Sequence, residues 1–282
     1  MTRSLSTDYL ELGHHLTEVL GAPRIQGLYL PKPGGDETFR DEFGFVFLED
    51  GSVGPFYVSM DGILSTLWSR YPRPADFKGE PGTLLEAFAH HDPAERALAL
   101  GTYNALSASL LHRSNFSFPD RASASDLDPA SCGDTIGMVG YFCPLVERLV
   151  SQGFQVLVLE KVPQRVAIQP GVSVTDDPEA LRRSQHVFCT AATLINGTLE
   201  EILAATSGQV PLELIGPSGS GLPDPLFRRR VAAVGGIDFP AAGPLLDALR
   251  QQRSWGAAGR KYRLTPANYP GAEHFLSPVR TG

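Results

Sequence analysis

Hydrophobic and polar positions in the first half of the chain predict a small α+β unit. The apolar residues of 9–20 recur at helical spacing, which predicts an amphipathic helix. Three runs rich in β-branched and aromatic residues predict strands, at 25–30, 43–48 and 54–59. The unit therefore begins with a helix and continues as a meander of short strands.

A long helix is predicted to close this first half. Asp92 precedes Pro93, and Glu95 follows three residues after Asp92. An acidic cap, a proline at the first helical position and a glutamate at the third are typical of a helix start with a capping box. We expect this helix to continue to about Leu111.

The second half of the chain alternates apolar runs with helical patterns. The predicted strands lie at 135–139, 155–159, 187–190, 212–215 and 232–234. The predicted helices lie at 144–152, 199–205 and 225–230. Alternating strands and helices are typical of a parallel sheet with right-handed crossovers. The fold class predicted for the whole chain is therefore α/β, with a small α+β domain followed by a Rossmann-like parallel-sheet domain.

Composition changes between these halves and predicts the domain organisation. The segment 113–133 is rich in Ser, Asp and Pro and has little apolar periodicity, which is typical of a connection. No periodic pattern follows Leu264. We therefore expect an α+β domain at 1–115, a linker at 116–132, a Rossmann-like domain at 133–264 and an irregular tail at 265–282.

Charge and cysteine content narrow the function classes. The 282 residues carry a formal net charge of −7, which disfavours a nucleic-acid partner because such proteins need a basic face. No apolar run is long enough to span a membrane, and the N-terminus has no apolar core typical of a secretory signal. The three cysteines form no CxxC pair, which disfavours a disulfide framework and a thiolate zinc site. We expect a cytoplasmic protein without membrane partners.

A sharp turn follows the first strand of the predicted parallel sheet. Gly140 and Tyr141 lie there, and a glycine lets backbone amides approach a ligand at a helix N-terminus. Glu160 comes 20 residues after Gly140, at the end of the next strand. Dinucleotide-binding domains place a ribose-binding acid at this distance. The run contains no GxGxxG, so a tight turn with a solvated carboxylate is the alternative interpretation.

Hydroxyl and amide side chains cluster after the third strand of the predicted sheet. Thr198 and Glu201 have the spacing of a capping box, which is a structural role. Thr190, Thr193 and Asn196 are not explained by that cap. Two interpretations stay open for them, hydrogen bonds to a ligand and ordinary hydrogen bonds within the loop.

A glycine-rich loop follows the fourth strand. Gly216 and Ser218 begin a run whose successive backbone N–H groups could form an anion-binding nest. The loop lacks the lysine of a P-loop, so it does not predict ATP hydrolysis, and a flexible connector is the alternative. Ligands bind beyond the carboxyl ends of strands in open parallel sheets. The predicted ligand-binding residues are accordingly Gly140, Tyr141, Glu160, Thr190, Thr193, Asn196, Gly216 and Ser218.

Histidines and cysteines give weaker signals. The pairs His14-His15 and His90-His91 are adjacent in sequence, and adjacent side chains point in different directions on regular structure. We expect solvated surface roles for them and not a metal site. Cys189 near a strand end is expected to be a buried structural cysteine, with a soft metal ligand as the alternative. The residues themselves assign no catalytic or metal-binding side chain.

Several of these segments together resemble one known family. The runs 133–145, 193–201, 214–218 and 231–236 resemble, in order and spacing, the putative heavy-metal chelation domain, a family of largely unknown function. The run 99–105 resembles the enolase N-terminal-like domain that usually precedes it. The resemblance implies a two-domain architecture with a cleft between the domains and a role in handling heavy metals.

Two functions follow as expectations. The first is a cleft protein that binds a small anionic molecule or a metal chelate, with a role in heavy-metal chelation or chelator biosynthesis. The second is a Rossmann-type enzyme that uses a nucleotide-derived cofactor, either a nicotinamide dinucleotide or S-adenosylmethionine. The expected cofactor is accordingly a heavy-metal ion or a nucleotide-derived molecule. A homodimer is an expected assembly, because Rossmann-like domains often dimerise.

Overall fold

The elements of the fold are described from a computed structural model covering residues 3–34, 42–119 and 134–276. The α-helices in these ranges are α1 (Leu5–Val19), α2 (Ile63–Arg70), α3 (Pro81–Leu85), α4 (Pro93–Arg113), α5 (Cys143–Ser151), α6 (Thr193–Asn196), α7 (Leu199–Ala205), α8 (Asp224–Phe227), α9 (Ala242–Arg250) and α10 (Ala272–Leu276). The strands are β1 (Ile25–Tyr29), β2 (Phe43–Leu48), β3 (Val53–Tyr57), β4 (Thr135–Val139), β5 (Gln155–Leu159), β6 (Val172–Thr175), β7 (His186–Thr190), β8 (Leu212–Ile215), β9 (Ala233–Asp238) and β10 (Arg260–Leu264).

The first part of the chain forms a small sheet of three antiparallel strands, in the order β1-β2-β3. Gly51 occupies the tight turn between β2 and β3 with a φ of +85°, a conformation that glycine adopts without strain. The predicted meander is therefore confirmed, and each predicted strand lies within two residues of an observed one.

Helix α4 begins where the sequence predicts. The Asp92 carboxylate accepts hydrogen bonds from the N–H groups of Ala94 (2.8 Å) and Glu95 (3.3 Å). The Glu95 carboxylate contacts the side chains of Arg70 and His90, so the return half of the predicted capping box is replaced by contacts to other side chains. The acidic cap alone satisfies two of the helix's first N–H groups.

The second part of the chain forms a seven-stranded sheet in the order β10-β9-β8-β7-β4-β5-β6. All neighbouring strands are parallel except β10, which runs antiparallel to β9. Numbered within this sheet, the six parallel strands have the order 3-2-1-4-5-6, which is the strand order of dinucleotide-binding Rossmann domains. The predicted α/β fold class is confirmed, with a small antiparallel sheet and a larger, mostly parallel one.

Two strands of the large sheet were not predicted. β10 has the sequence Arg-Lys-Tyr-Arg-Leu, in which Tyr262 and Leu264 are buried. Its three basic residues interrupt the apolar pattern by which a strand is predicted. β6 has only four residues and lies at the sheet edge, where Ser173 and Val174 are exposed. Short or charged strands carry too few buried apolar positions to give a clear pattern.

Helix α4 lies between the two sheets. A Cβ atom at Gly54 of β3 would overlap the carbonyl oxygen of Gly101, so glycine at this position allows the helix to contact the strand closely. One hydrophobic cluster contains Phe56 of β3, Leu106 of α4 and Leu214 of β8. The core is therefore continuous between the sheets, and the division into separate domains at 115 and 133 stays a prediction.

The other face of the small sheet packs against α9 and the strand before it. Phe45 of β2 is fully buried and belongs to a cluster with Ile237 and Leu245. Trp255 lies against Phe45, with ring centroids 5.2 Å apart. The small sheet is thus packed on both faces, and these contacts fix the position of β2 and β3 relative to the large sheet.

The segments predicted as linker and tail are partly described. Phe118 is buried and its ring centroid lies 4.6 Å from that of Tyr262, while residues 120–133 lie outside the described ranges. In the expected irregular tail, α10 is held by Asp224, which accepts hydrogen bonds from the Tyr269 hydroxyl (2.7 Å) and the Ala272 N–H (2.8 Å). Within the described residues, no helix has the length and apolarity needed to cross a membrane.

Candidate functional site

A cavity of about 660 Å³ lies at the carboxyl edge of the large sheet, under the end of the small one. The sheet's strand order reverses between β4 and β7, and the residues that follow both strands line this cavity. Such a reversal leaves a crevice, because the crossovers on its two sides run to opposite faces of the sheet. All eight residues predicted to bind a ligand line this one cavity. Their role as ligand-binding residues stays a prediction.

The turn after β4 requires glycine at its first position. Gly140 has a φ of +77°, and its N–H donates to the carbonyl of Leu159 at 3.0 Å. An added Cβ would lie 3.1 Å from the Thr190 side chain, which is closer than most Cβ contacts in proteins. Tyr141 follows at the cavity wall, and desolvation raises the pKa of its phenol, so the hydroxyl stays protonated at neutral pH.

Glu160 follows β5 and lines the same cavity as Gly140. Its backbone N–H donates to the carbonyl of Thr175 on the neighbouring strand at 3.1 Å. One carboxylate oxygen accepts a hydrogen bond from the N–H of Val162 at 3.1 Å. A carboxylate has about four lone-pair positions, so this single bond leaves acceptor capacity for a ligand.

The polar turn after β7 makes local hydrogen bonds. The Thr193 hydroxyl donates to the carbonyl of Thr190 at 2.7 Å, and the Thr190 hydroxyl accepts from the N–H of Ala192 at 3.2 Å. The side-chain amide oxygen of Asn196 accepts from both the N–H (3.1 Å) and the hydroxyl (2.7 Å) of Thr198. Thr190, Thr193 and Asn196 therefore use part of their hydrogen-bonding capacity to hold the cavity wall in its conformation.

The capping box predicted from Thr198 and Glu201 is wrong. Thr198 precedes α7 with φ −87° and ψ −8°, which is helical geometry, whereas a capping residue normally has extended geometry. Its hydroxyl donates to Asn196 and makes no hydrogen bond to the first turn of the helix. The turn before α7 is therefore held by the side chain of Asn196, and not by the predicted capping box.

The loop after β8 differs from the predicted anion nest. The N–H groups of Gly219 and Ser220 donate to the carbonyls of Gly216 and Pro217 within one turn, so they do not converge on an external anion. The Ser218 hydroxyl is buried and accepts from the N–H of Tyr57 at 2.9 Å. Ser218 therefore joins the large sheet to the small one, and Gly216, with a φ of +119°, allows the chain to turn there.

Sequence reasoning missed part of the lining. The lining residues that were not predicted come from the end of the small sheet and from the connections around β6. They include Phe43, Tyr57, Asp61, Lys161, Arg165 and Asp176. Phe43 and Tyr57 have the pattern of ordinary strand residues, and only the packing of one sheet over the other brings them to the cavity. Asp176 follows β6, one of the two strands that the sequence did not predict.

Cys189 lies in the core, and His14 and His90 lie at the surface. Cys189 is fully buried, and burial raises the pKa of its thiol to about 12, so it stays a neutral thiol. His14 contacts Glu86 and His90 contacts Glu95, in exposed pairs at 3.0 and 2.7 Å. Within the described ranges, no three His, Cys, Asp or Glu side chains form a group that could hold a metal ion.

The fold is shared with known structures at low sequence identity. A protein of unknown function from the DUF364 family of Pyrococcus horikoshii has 17% identity and a TM-score of 0.70, covering 93% of this chain and 99% of that chain. A DUF364 family protein of unknown function from Desulfitobacterium hafniense DCB-2 has 16% identity and a TM-score of 0.63, covering 92% and 98%. At these identities the likeness shows the fold alone.

Likeness to enolase-type proteins is distant. A muconate lactonizing enzyme from Mucobacterium Smegmatis has 14% identity and a TM-score of 0.28, covering 75% of this chain and 71% of that chain, which supports no argument about function. No curated protein matches the chain. The family model described as "Putative heavy-metal chelation", DUF364, matches residues 123–267, just over half of the 282 residues, and the chain therefore belongs to this family.

Proposed function

We propose that the cavity binds a small metal chelate and that the protein acts in heavy-metal chelation. The observation that carries this proposal is the cavity itself, at the strand-order reversal of the large sheet. Its volume of about 660 Å³ lies within the range of small-molecule sites, roughly 300–1,000 Å³. The family description supports the choice of a chelate.

The charges around the cavity favour a ligand that contains a cation. Its lining includes four carboxylates and two basic side chains, namely Asp61, Glu160, Asp176, Glu201, Lys161 and Arg165. A metal chelate combines a cation with anionic donor groups, so it complements both signs of charge. A strongly anionic ligand such as a pyrophosphate would meet twice as many carboxylates as cations.

Calorimetric titration of the tag-free protein tests this proposal. The probes are Ni²⁺ alone and Ni²⁺ complexes of citrate, glycinate and picolinate. We expect at least one complex to bind with one-to-one stoichiometry and more tightly than Ni²⁺ alone. If no complex binds, or if Ni²⁺ alone binds at least as tightly as every complex, the proposal is wrong.

A matched pair of glycine variants locates the binding. Gly140→Ala introduces a Cβ atom next to Thr190 at the cavity, at a φ of +77°. Gly153→Ala introduces the same strain at a φ of +94°, in the turn before β5 at the opposite edge of the large sheet, with no atom within 4 Å. Both should lose about 1 kcal/mol of stability. Only Gly140→Ala should weaken chelate binding, by tenfold or more.

A nucleotide-derived cofactor is the second candidate, and two observations favour it. The parallel strands have the order of dinucleotide-binding domains, and Glu160 directly follows β5, where such domains carry a ribose-binding acid. NAD⁺ and S-adenosylmethionine in the same titration distinguish the candidates. Binding of either one, lost in Glu160→Gln, together with no binding of the chelates, would assign the cavity to this second function.

A further inference from the structure

Four aromatic side chains line the cavity and remain partly exposed. Phe43 and Tyr57 come from the small sheet, and Tyr141 and Phe142 come from the turn after β4. By contrast, Phe45, two residues along β2 from Phe43, is fully buried. The four rings therefore leave apolar surface facing one shared space, where a bound molecule could cover it.

The rings from the small sheet are held in place. Phe43 and Tyr57 are directly opposite each other in the β2–β3 pair, so their side chains share one face of the sheet. Their ring centroids are 5.4 Å apart, with the planes at 65°. The Trp255 ring lies against Phe43 at 5.5 Å and 79°. Phe43 therefore has a ring contact on two sides, and the aromatic surface is formed before any ligand arrives.

The rings of the β4 turn are supported by the large sheet. Tyr141 and Phe142 pack against the hydrophobic cluster that includes Leu145 and Val146 of α5. The positive φ of Gly140 directs the chain into this turn at the cavity wall. Aromatic surface is thus presented to the cavity from two different sheets.

From this arrangement we infer that the ligand carries a planar aromatic ring, which packs against these side chains. The inference rests on the proposed function and adds the class of ligand: an aromatic chelator with its metal. Contacts between aromatic rings are more favourable than their buried area alone accounts for, and their geometry is specific. An aliphatic chelator would leave much of this ring surface in contact with water.

Two chelates that differ mainly in the ring provide the test. Picolinate and glycinate both bind Ni²⁺ through one nitrogen and one carboxylate oxygen, and only picolinate contains an aromatic ring. In calorimetric titration we expect the Ni²⁺–picolinate complex to bind about tenfold more tightly than the Ni²⁺–glycinate complex. Equal affinity for the two complexes would overturn the inference and leave the proposed function intact. Binding of neither complex, with Ni²⁺–citrate also unbound, would contradict the proposed function and the inference together.

Substitutions in the small sheet test whether the aromatic side chains cause the preference for the Ni²⁺–picolinate complex. Tyr57→Leu removes one ring and should reduce the preference for picolinate to about twofold, whereas Tyr57→Phe should keep it. Tyr29→Leu removes a half-buried ring from the same sheet that does not line the cavity, so the preference should stay unchanged. An unchanged preference in Tyr57→Leu would overturn the inference. If circular dichroism shows that Tyr57→Leu does not fold, Phe142→Leu replaces it with the same expected result.

Adenosine distinguishes a chelator ring from the base of a nucleotide, since either could pack against the same side chains. We expect adenosine to bind more weakly than the Ni²⁺–picolinate complex. If adenosine binds more tightly, loses affinity in Tyr57→Leu, and the two chelates bind equally, the ring surface belongs to a nucleotide ligand and the inference of an aromatic chelator is wrong.

Discussion

The turn between α6 and α7 depends on one side chain, which makes Asn196→Ala an informative variant. The side-chain amide oxygen of Asn196 accepts hydrogen bonds from the N–H and the hydroxyl of Thr198, at 3.1 and 2.7 Å. Each hydrogen bond contributes a net stabilisation of about 1 kcal/mol. We therefore expect Asn196→Ala to lower the free energy of unfolding by about 2 kcal/mol. For a protein of 282 residues the corresponding fall in Tm is roughly 3–4 °C.

Urea denaturation followed by circular dichroism measures this change, and Asn196→Asp is the matched control. Aspartate keeps an acceptor oxygen at the same position, so most of the stability should return. If Asn196→Ala is as stable as the wild-type protein, or if Asn196→Asp is as destabilised as the alanine variant, the assignment to turn structure is wrong. A five- to tenfold loss of chelate affinity at unchanged stability would instead show that Asn196 contacts the ligand.

Two further predictions concern contacts that join the parts of the fold. The hydrogen bond to Asp238 raises the pKa of His112, so the stabilisation it provides should be present below about pH 6.5 and be lost as the pH rises through the folded-state pKa. Urea titrations at several pH values should show this slope in the wild-type protein and a smaller one in His112→Gln; equal slopes would contradict the prediction. Gly221→Ala places a Cβ atom against the Tyr103 ring, and overpacking should lower the free energy of unfolding by about 1–3 kcal/mol. Gly243→Ala, with no atom within 4 Å, is its control, and equal effects of the two variants in urea denaturation would refute the reasoning.

The sequence predicted the large sheet well where strands were apolar and separated by helices. The carboxyl ends of parallel strands meet at one sheet edge, so residues following β4, β5, β7 and β8 could be expected to lie together before the structure was known. The eight predicted residues line one cavity for this reason. β10 was missed because its basic residues interrupt the apolar pattern.

The roles of individual side chains were harder to predict, since they depend on partners distant in sequence. Ser218 resembled a ligand donor in a glycine-rich loop, yet its hydroxyl accepts from the backbone of Tyr57. The glycine content of that loop also has a packing cause, because a Cβ at Gly221 would overlap Tyr103 and lie 2.7 Å from the Asn104 side-chain oxygen. No local pattern in the sequence links these positions, which lie more than 100 residues apart.

Helix α4 explains why the two sheets present one preformed cavity. The side-chain amide of Asn104 donates both to the carbonyl of Pro55 on β3 (2.8 Å) and to the carbonyl of Ser218 after β8 (3.0 Å). The Tyr103 hydroxyl donates to the carbonyl of Leu222 at 2.9 Å, further along the same loop. Asn104 is 1% exposed, and buried hydrogen bonds of this kind are costly to break. Because one helix holds both walls, a ligand meets a cavity whose shape is already set, and less of its binding free energy is lost in ordering the protein.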